Sequence, residues 1–219
     1  MKFSLRIVPV GLAALLVIGL VGCAQGRQRP APGRDAANAD WRQMATAEDR
    51  DRLRQWRKSW QAGIEAARKS GHGRDIDAEG ALLDPDRAID GAVPPTGSYR
   101  CRVFKLGADG TAMRDFTAYP AVNCRIATNG AISSFYKIDG AQRPSGMIFH
   151  DSSSRAVFLG TMMLGDETRT VDYGRDPKRN MVGFVERVDL NRWRLVIPSP
   201  PFESMVDVIE LVPASQPER

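Results

Sequence analysis

The residues able to do chemistry in this chain are few. There are two histidines, His72 and His150, well separated, and three cysteines, Cys23, Cys101 and Cys124. Structural and catalytic zinc sites draw three or four ligands from such residues at short, regular spacings, so no metal and no cofactor is expected. The patterns GxSxG, HExxH, GxGxxG and the P-loop do not occur, and Ser152 to Ser154 has turn composition rather than a nucleophile's surroundings. His72, between Gly71 and Gly73, suits a helix C-terminus, where an imidazolium meets the carbonyl dipoles; its sharper reading is a general base. Glu203 and Asp207, four apart, form a carboxylate pair that acid–base hydrolysis could use, or two acids on one solvated strand face. Arg100, Arg102 and Arg125 flank the later cysteines on the opposite strand phase. They solvate an outer face, or they contact an anion or an acidic polymer. No catalytic residue is assigned.

Cys23 has different surroundings. Lys2 and Arg6 precede a run from Ile7 to Gly26 without a charged side chain, the pattern of a charged n-region and an apolar h-region. Pro9, Gly11, Gly19 and Gly22 weaken a helix, and Arg27, Arg29 and Arg34 leave positive charge on both flanks, which argues against a spanning anchor. The ending, Leu20, Val21, Gly22 and Cys23, resembles the lipobox of bacterial lipoproteins. That resemblance implies cleavage after Gly22, a diacylglyceryl group on the Cys23 sulfur and a fatty chain such as palmitate on the new amine. Two or three chains hold a protein durably where one does not. Ala24, where inner-membrane retention has Asp, is similar to the sorting pattern of outer-membrane lipoproteins. The alternative is an ordinary signal peptide or an uncleaved anchor with Cys23 incidental.

Outside the cytoplasm, the two cysteines that remain after lipidation suit a disulfide. Tyr99, Cys101 and Val103 alternate, as do Val122, Cys124 and Ile126, so each cysteine points to the apolar face of a strand. A bridge closing some two dozen residues is worth roughly 3 kcal/mol in the chain-entropy account. The bland reading is two buried thiols that never meet.

Charge says little about partners. Of the formal +5, Lys2 and Arg6 belong to the cleaved segment, and the rest is spread without a basic stripe. Nucleic acid is therefore not expected as a partner. The chain divides into a signal peptide (1–22), a lipidated start and flexible tether (23–44), a helical segment (45–93), a β domain (94–214) and a disordered tail (215–219). The tether, rich in Pro, Gly and Ala, has no hydrophobic period and spans roughly 20 to 25 Å. In the helical segment Thr46 and Asp49 form an N-cap signature, and Leu53, Trp56, Trp60, Ile64 and Ala67 follow at spacings of three and four. The apolar stripe is expected to pack on the domain; an interfacial helix on the membrane is the other possibility. Gly71 and Gly73 stop it, and Ile76, Leu82 and Leu83 mark a shorter second helix ending at Asp84 and Pro85.

From Gly97 the period becomes two. Runs at 99–106, 121–128, 132–138, 147–150, 156–164, 168–173, 181–188, 192–197 and 205–212 are rich in β-branched and aromatic residues, with turn residues between them. Short strands without intervening helices cannot make parallel crossovers. The expected fold is mainly β: an antiparallel meander of about eight strands after an amphipathic helix, closing into a lipocalin-like barrel, with a sandwich as second choice. AVFLGTMML is apolar on both faces and should lie beneath the helix.

The order of paired tryptophans, GHG, LLDP, GSYRCRVFKLG, YPAVNCRI, QRPSG, VFLGT, YGRDP, RWRLVIPSPPFES and VIELVP resembles a proteobacterial family of exported proteins known only as a domain of unknown function, over about 45–214. The resemblance implies membership and no activity. More loosely, the disulfide-tied meander with GSY at its first strand is similar to lipocalin-like barrels and to bacterial inhibitors of secreted metalloproteases. It departs from the first in having Tyr99 for Trp. It departs from the second because lipidation would occupy the N-terminus those inhibitors use. The expectation is an outer-membrane, periplasm-facing lipoprotein, anchored through Cys23, that binds an amphipathic small molecule or an envelope protein without catalysing a reaction. A hydrolase of an envelope polymer and a scaffold subunit of an outer-membrane machine are the alternatives.

Overall fold

The computed structural model describes residues 40–214, Ala131 excepted. The signal-like run, Cys23, the tether as far as residue 39 and the tail 215–219 lie outside the described residues. Helical structure begins one short turn before the Thr46 cap, with α1 at Trp41–Met44. Thr46 then accepts a hydrogen bond from the Asp49 N–H at 3.1 Å and starts α2, Ala47–Arg54. Where one continuous helix is expected, Gln55 interrupts it, and α3, Trp56–Ala67, follows at once. Gly71, at φ 95°, supplies the kink that carries the chain into α4, Gly73–Glu79, and a last 3-10 turn ends at Leu82.

The β domain consists of β1 (Gly97–Leu106), β2 (Phe116–Ala118), β3 (Val122–Asn129), β4 (Ile132–Lys137), β5 (Gln142–His150), β6 (Ala156–Leu164), β7 (Asn180–Asp189), β8 (Arg192–Pro198) and β9 (Val206–Pro213). Consecutive strands from β3 onward pair antiparallel, and β9 returns to β1 along Tyr99 to Leu106, closing an eight-stranded barrel. Closure removes the open edges that a sandwich would leave. β2 is a three-residue addition on β1, taking the edge at Phe104 to Leu106 where β3 has already left it. The run at 168–173 is not a strand. Glu167, Arg169 and Asp172 leave it no face to bury, and Tyr173 turns instead to α2, its hydroxyl donating to Asp49 and accepting from the Thr46 N–H.

Alternation sorts the side chains. Tyr99, Cys101, Cys124, Ile126, Phe135, Ile148, Phe158, Trp193, Leu195 and Leu211 fill the barrel. The outward Val157, Leu159 and Val182 are covered by Leu53 of α2, and Phe104, Val196 and Val208 by Trp60 and Ala67 of α3. β6 therefore lies beneath the helical segment, as its two apolar faces predict. At Gly63 a Cβ would sit 2.9 Å from the Leu106 carbonyl oxygen, so only glycine lets α3 approach β1 this closely. Inside the barrel Gly146 of β5 stands opposite Gly160 of β6, and a Cβ on either would overlap the other strand's backbone.

Candidate ligand cavity at the barrel mouth

One end of the barrel is filled and the other is not. Around the inner face at the open end, Val103, Val122, Met162, Met181, Ile197 and Ile209 wall a cavity of about 360 Å³, within the range of small-molecule sites. Its opening has a local cause. The β4–β5 ladder runs from Ser133 opposite Ile148 to Tyr136 opposite Ser145 and stops where Lys137 would face Pro144. Proline has no N–H to donate, so the strands part there. Lys137 donates instead to the carbonyls of Asp139, at 2.6 Å, and Gln142, at 2.9 Å.

Polar groups converge on this apolar space. Lys105, buried on the inward phase of β1, stands opposite Asp207 of β9. Its Nζ lies 3.2 Å from Asp207 Oδ2 and 3.4 Å from Glu203 Oε2. Ser204 donates to the other Asp207 oxygen at 2.5 Å, and Gln142 Nε2 reaches Glu203 at 3.4 Å. Burial pushes the Asp207 pKa up, against the pull of Lys105 and Ser204. Burial likewise pushes the Lys137 pKa down, the attraction of Asp139 notwithstanding. Glu203 is in the β8–β9 loop at φ 70°, unusual for a residue with a side chain, and its carbonyl accepts from Thr111 in the loop after β1.

Glu203 and Asp207 thus do share one place, both held by Lys105 and both lining the cavity. The arginines do not join them. Arg102 lies on the outer face and, with Arg192, clamps Glu79 of α4 and Glu210 of β9: Arg102 bonds Glu79 at 2.6 Å and Glu210 at 2.5 Å. Arg100 donates to Asn123 at 2.8 Å and to the Ala121 carbonyl, and Arg125 is exposed on the outside of β3. Cys101 and Cys124 face each other inside the barrel with sulfurs at disulfide distance and Cα atoms 6.0 Å apart. His72 pairs with Asp75 at 2.7 Å and stacks on Phe116, and it is not among the residues that line the cavity.

Lys105 and Lys137 are absent from the residues that motif reasoning singles out. A signal for them existed in phase: Tyr99, Cys101 and Val103 are followed inward by Lys105, and Phe135 by Lys137, each a charge where alternation demands an apolar residue. Among the described residues no group of three or more His, Cys, Asp or Glu side chains is disposed to hold a metal ion, and no helix is long and apolar enough to cross a membrane.

Fold and site together define a small closed antiparallel barrel with an internal cavity at one mouth, carrying a helical cover on its outer wall. The chain belongs to the family described as Domain of unknown function (DUF4893), whose model matches residues 41–211. No curated protein and no solved structure matches it.

Proposed function

We propose that the protein is a non-catalytic binding module of the bacterial envelope, anchored through lipid on Cys23 to the periplasmic face of the outer membrane, whose barrel takes up a small amphipathic ligand. The observation that carries the reading is the cavity: an apolar recess of about 360 Å³ opening at the barrel mouth, with polar groups gathered at one side. Apolar walls supply affinity, and a few fixed polar groups supply orientation. The lipobox-like LVGC and the paired Cys101 and Cys124 support an address outside the cytoplasm. The hydrolase alternative has Glu203 and Asp207 together in its favour. Against it, Asp207 is buried with one oxygen on Lys105 and the other on Ser204, so the pair offers one accessible carboxylate, Glu203, where hydrolysis by an acid and a base needs two.

The test is native mass spectrometry of the full chain isolated from its own host's envelope. The wild type should carry a small-molecule adduct, and Val122→Trp, which fills the mouth, should lose it. Identical spectra, or none with an adduct, would count against a ligand carrier. The N-terminal peptide of the same sample should begin at Cys23 with acyl chains attached; a product starting at Met1 would remove the anchor.

A further inference from the structure

Lys105 and Lys137 bring two ammonium groups to one mouth. Lys137 lines the cavity directly; Lys105 lies behind Glu203 and Asp207. The two carboxylates differ in how firmly they are held. Asp207 is buried, opposite Lys105 in the ladder and fixed by Ser204 at 2.5 Å. Glu203 is about a third exposed, sits in a loop, and meets both Lys105 and Gln142 only at 3.4 Å. Contacts of that length on a partly exposed side chain contribute little. The next charges outward are one of each sign: Asp139, which accepts from the Asn123 N–H, and Arg143, whose guanidinium donates to the carbonyls of Gly140, Gly165 and Glu167. If Glu203 turns out to solvent, Lys105, Lys137 and Arg143 are left with Asp207 and Asp139, one positive charge in excess, and Lys105 loses its 3.4 Å partner.

We infer that the ligand carries a carboxylate head, and that Glu203 is a built-in stand-in which occupies the head-group's place on Lys105 until the ligand displaces it. The inference rests on the binding-module reading and names the ligand class for that same cavity. A carboxylate entering between Lys105 and Lys137 restores charge balance in surroundings where water competes less, so each hydrogen bond it accepts is charge-assisted at both ends. Its chain lies along Val103, Met162, Met181 and Ile197. A cationic head would instead be drawn to Glu203 and Asp207 as they stand, and a neutral one would leave Glu203 where it is.

The experiment compares three probes of one tail length, dodecanoate, dodecanol and dodecyltrimethylammonium, by calorimetric titration of the full chain. Wild type should bind dodecanoate most tightly. Glu203→Gln, which keeps shape and removes the competing charge, should raise the dodecanoate-to-dodecanol affinity ratio about tenfold, and Lys137→Met should lower it. Should Lys137→Met fail to fold, the Glu203→Gln ratio decides alone. Equal binding of all three heads, preference for the ammonium, or a ratio that does not rise in Glu203→Gln overturns the carboxylate assignment while leaving a ligand-binding barrel in place. Binding of none of the three overturns the assignment together with the reading beneath it.

Discussion

Arg194 is fully buried on the outer wall of β8, beneath the chain that links α4 to the barrel. Its Nε and Nη2 donate to Glu186 Oε2 at 2.9 and 2.7 Å. Nη1 serves the carbonyls of Ala81, Leu82 and Asp84 at 3.1, 2.9 and 2.6 Å, and Nη2 also serves that of Arg87 at 2.9 Å. The guanidinium lies 4.6 Å from the centre of the Trp60 ring. Desolvation lowers the Arg194 pKa, with Glu186 pulling the other way. Arg194→Met keeps the apolar stem and removes every donor. Glu186 is left with Arg155 alone, and the carbonyls of Ala81 to Arg87 must find water or go unmet. Removing one partner of a buried pair costs about 3 to 5 kcal/mol, a fifth or more of the stability typical of a domain. Arg194→Lys keeps the charge but has three donors and no fork, and should recover about half of that. In Arg194→Met/Glu186→Leu the buried carboxylate, half-satisfied by Arg155, is gone as well, so the double variant should be more stable than the single one by about 1 to 2 kcal/mol. Urea unfolding followed by tryptophan fluorescence reads all three, since Trp60 lies on the same cluster. A loss under about 1 kcal/mol in Arg194→Met, or simple additivity in the double variant, would refute the claim that this arginine ties the helical segment to the barrel.

Further outcomes follow from the same structure. Reducing the Cys101–Cys124 bridge, or replacing both residues by Ala, should lower the unfolding free energy by roughly 3 kcal/mol, measured with and without reductant, because the pair closes a loop of sequence separation 23. Gly160→Ala should cost about 1 to 3 kcal/mol or prevent folding, as read by thermal melts, since its Cβ would enter the Ser145 backbone of β5. Burial alone would raise the Glu210 pKa, but hydrogen bonds from Arg102 and the charge of Arg192 hold it below the usual 4.5. Its contribution is thus present above that value and lost as pH falls through the lowered one. Glu210→Gln should therefore flatten the acid limb of stability below pH 4.5, and an unchanged limb would remove this ion cluster from the acid transition.

Most of the architecture could be read from the residues because it depends on local rules. Thr46 caps, Leu53 and Trp60 recur at helical spacing, and alternation from Tyr99 onward separates inside from outside. What escaped depends on residues distant in sequence. The break at Gln55 lets α2 lie on β7 while α3 lies on β1 and β8, and the segment at 168–173 has β-branched residues but no partner strand to accept them. Glu203 and Asp207 were visible as a pair, yet their meaning changes once β1 delivers Lys105 between them in space. The arginines of β1 and β3 were visible too. Arg102 turns out to hold α4 through Glu79, a contact that no pattern within RCRVF announces.

Two buried cations show how structure separates support from site. Arg194 has its donors taken by Glu186 and by four backbone carbonyls, at distances of 2.6 to 3.1 Å. A group so fully engaged gains nothing from a ligand and would lose contacts by moving. Lys105 is also buried, but among the described residues it has two ion-pair partners, at 3.2 and 3.4 Å, and one of these is a loop residue at positive φ. Both side chains are withdrawn from water; the arginine has the more hydrogen-bond partners within the fold. Lys105 lies behind Glu203 and Asp207, which line the cavity, rather than under the helices. A molecule supplying a carboxylate there would find a cation already stripped of water, which is the condition under which one ion pair confers both affinity and orientation.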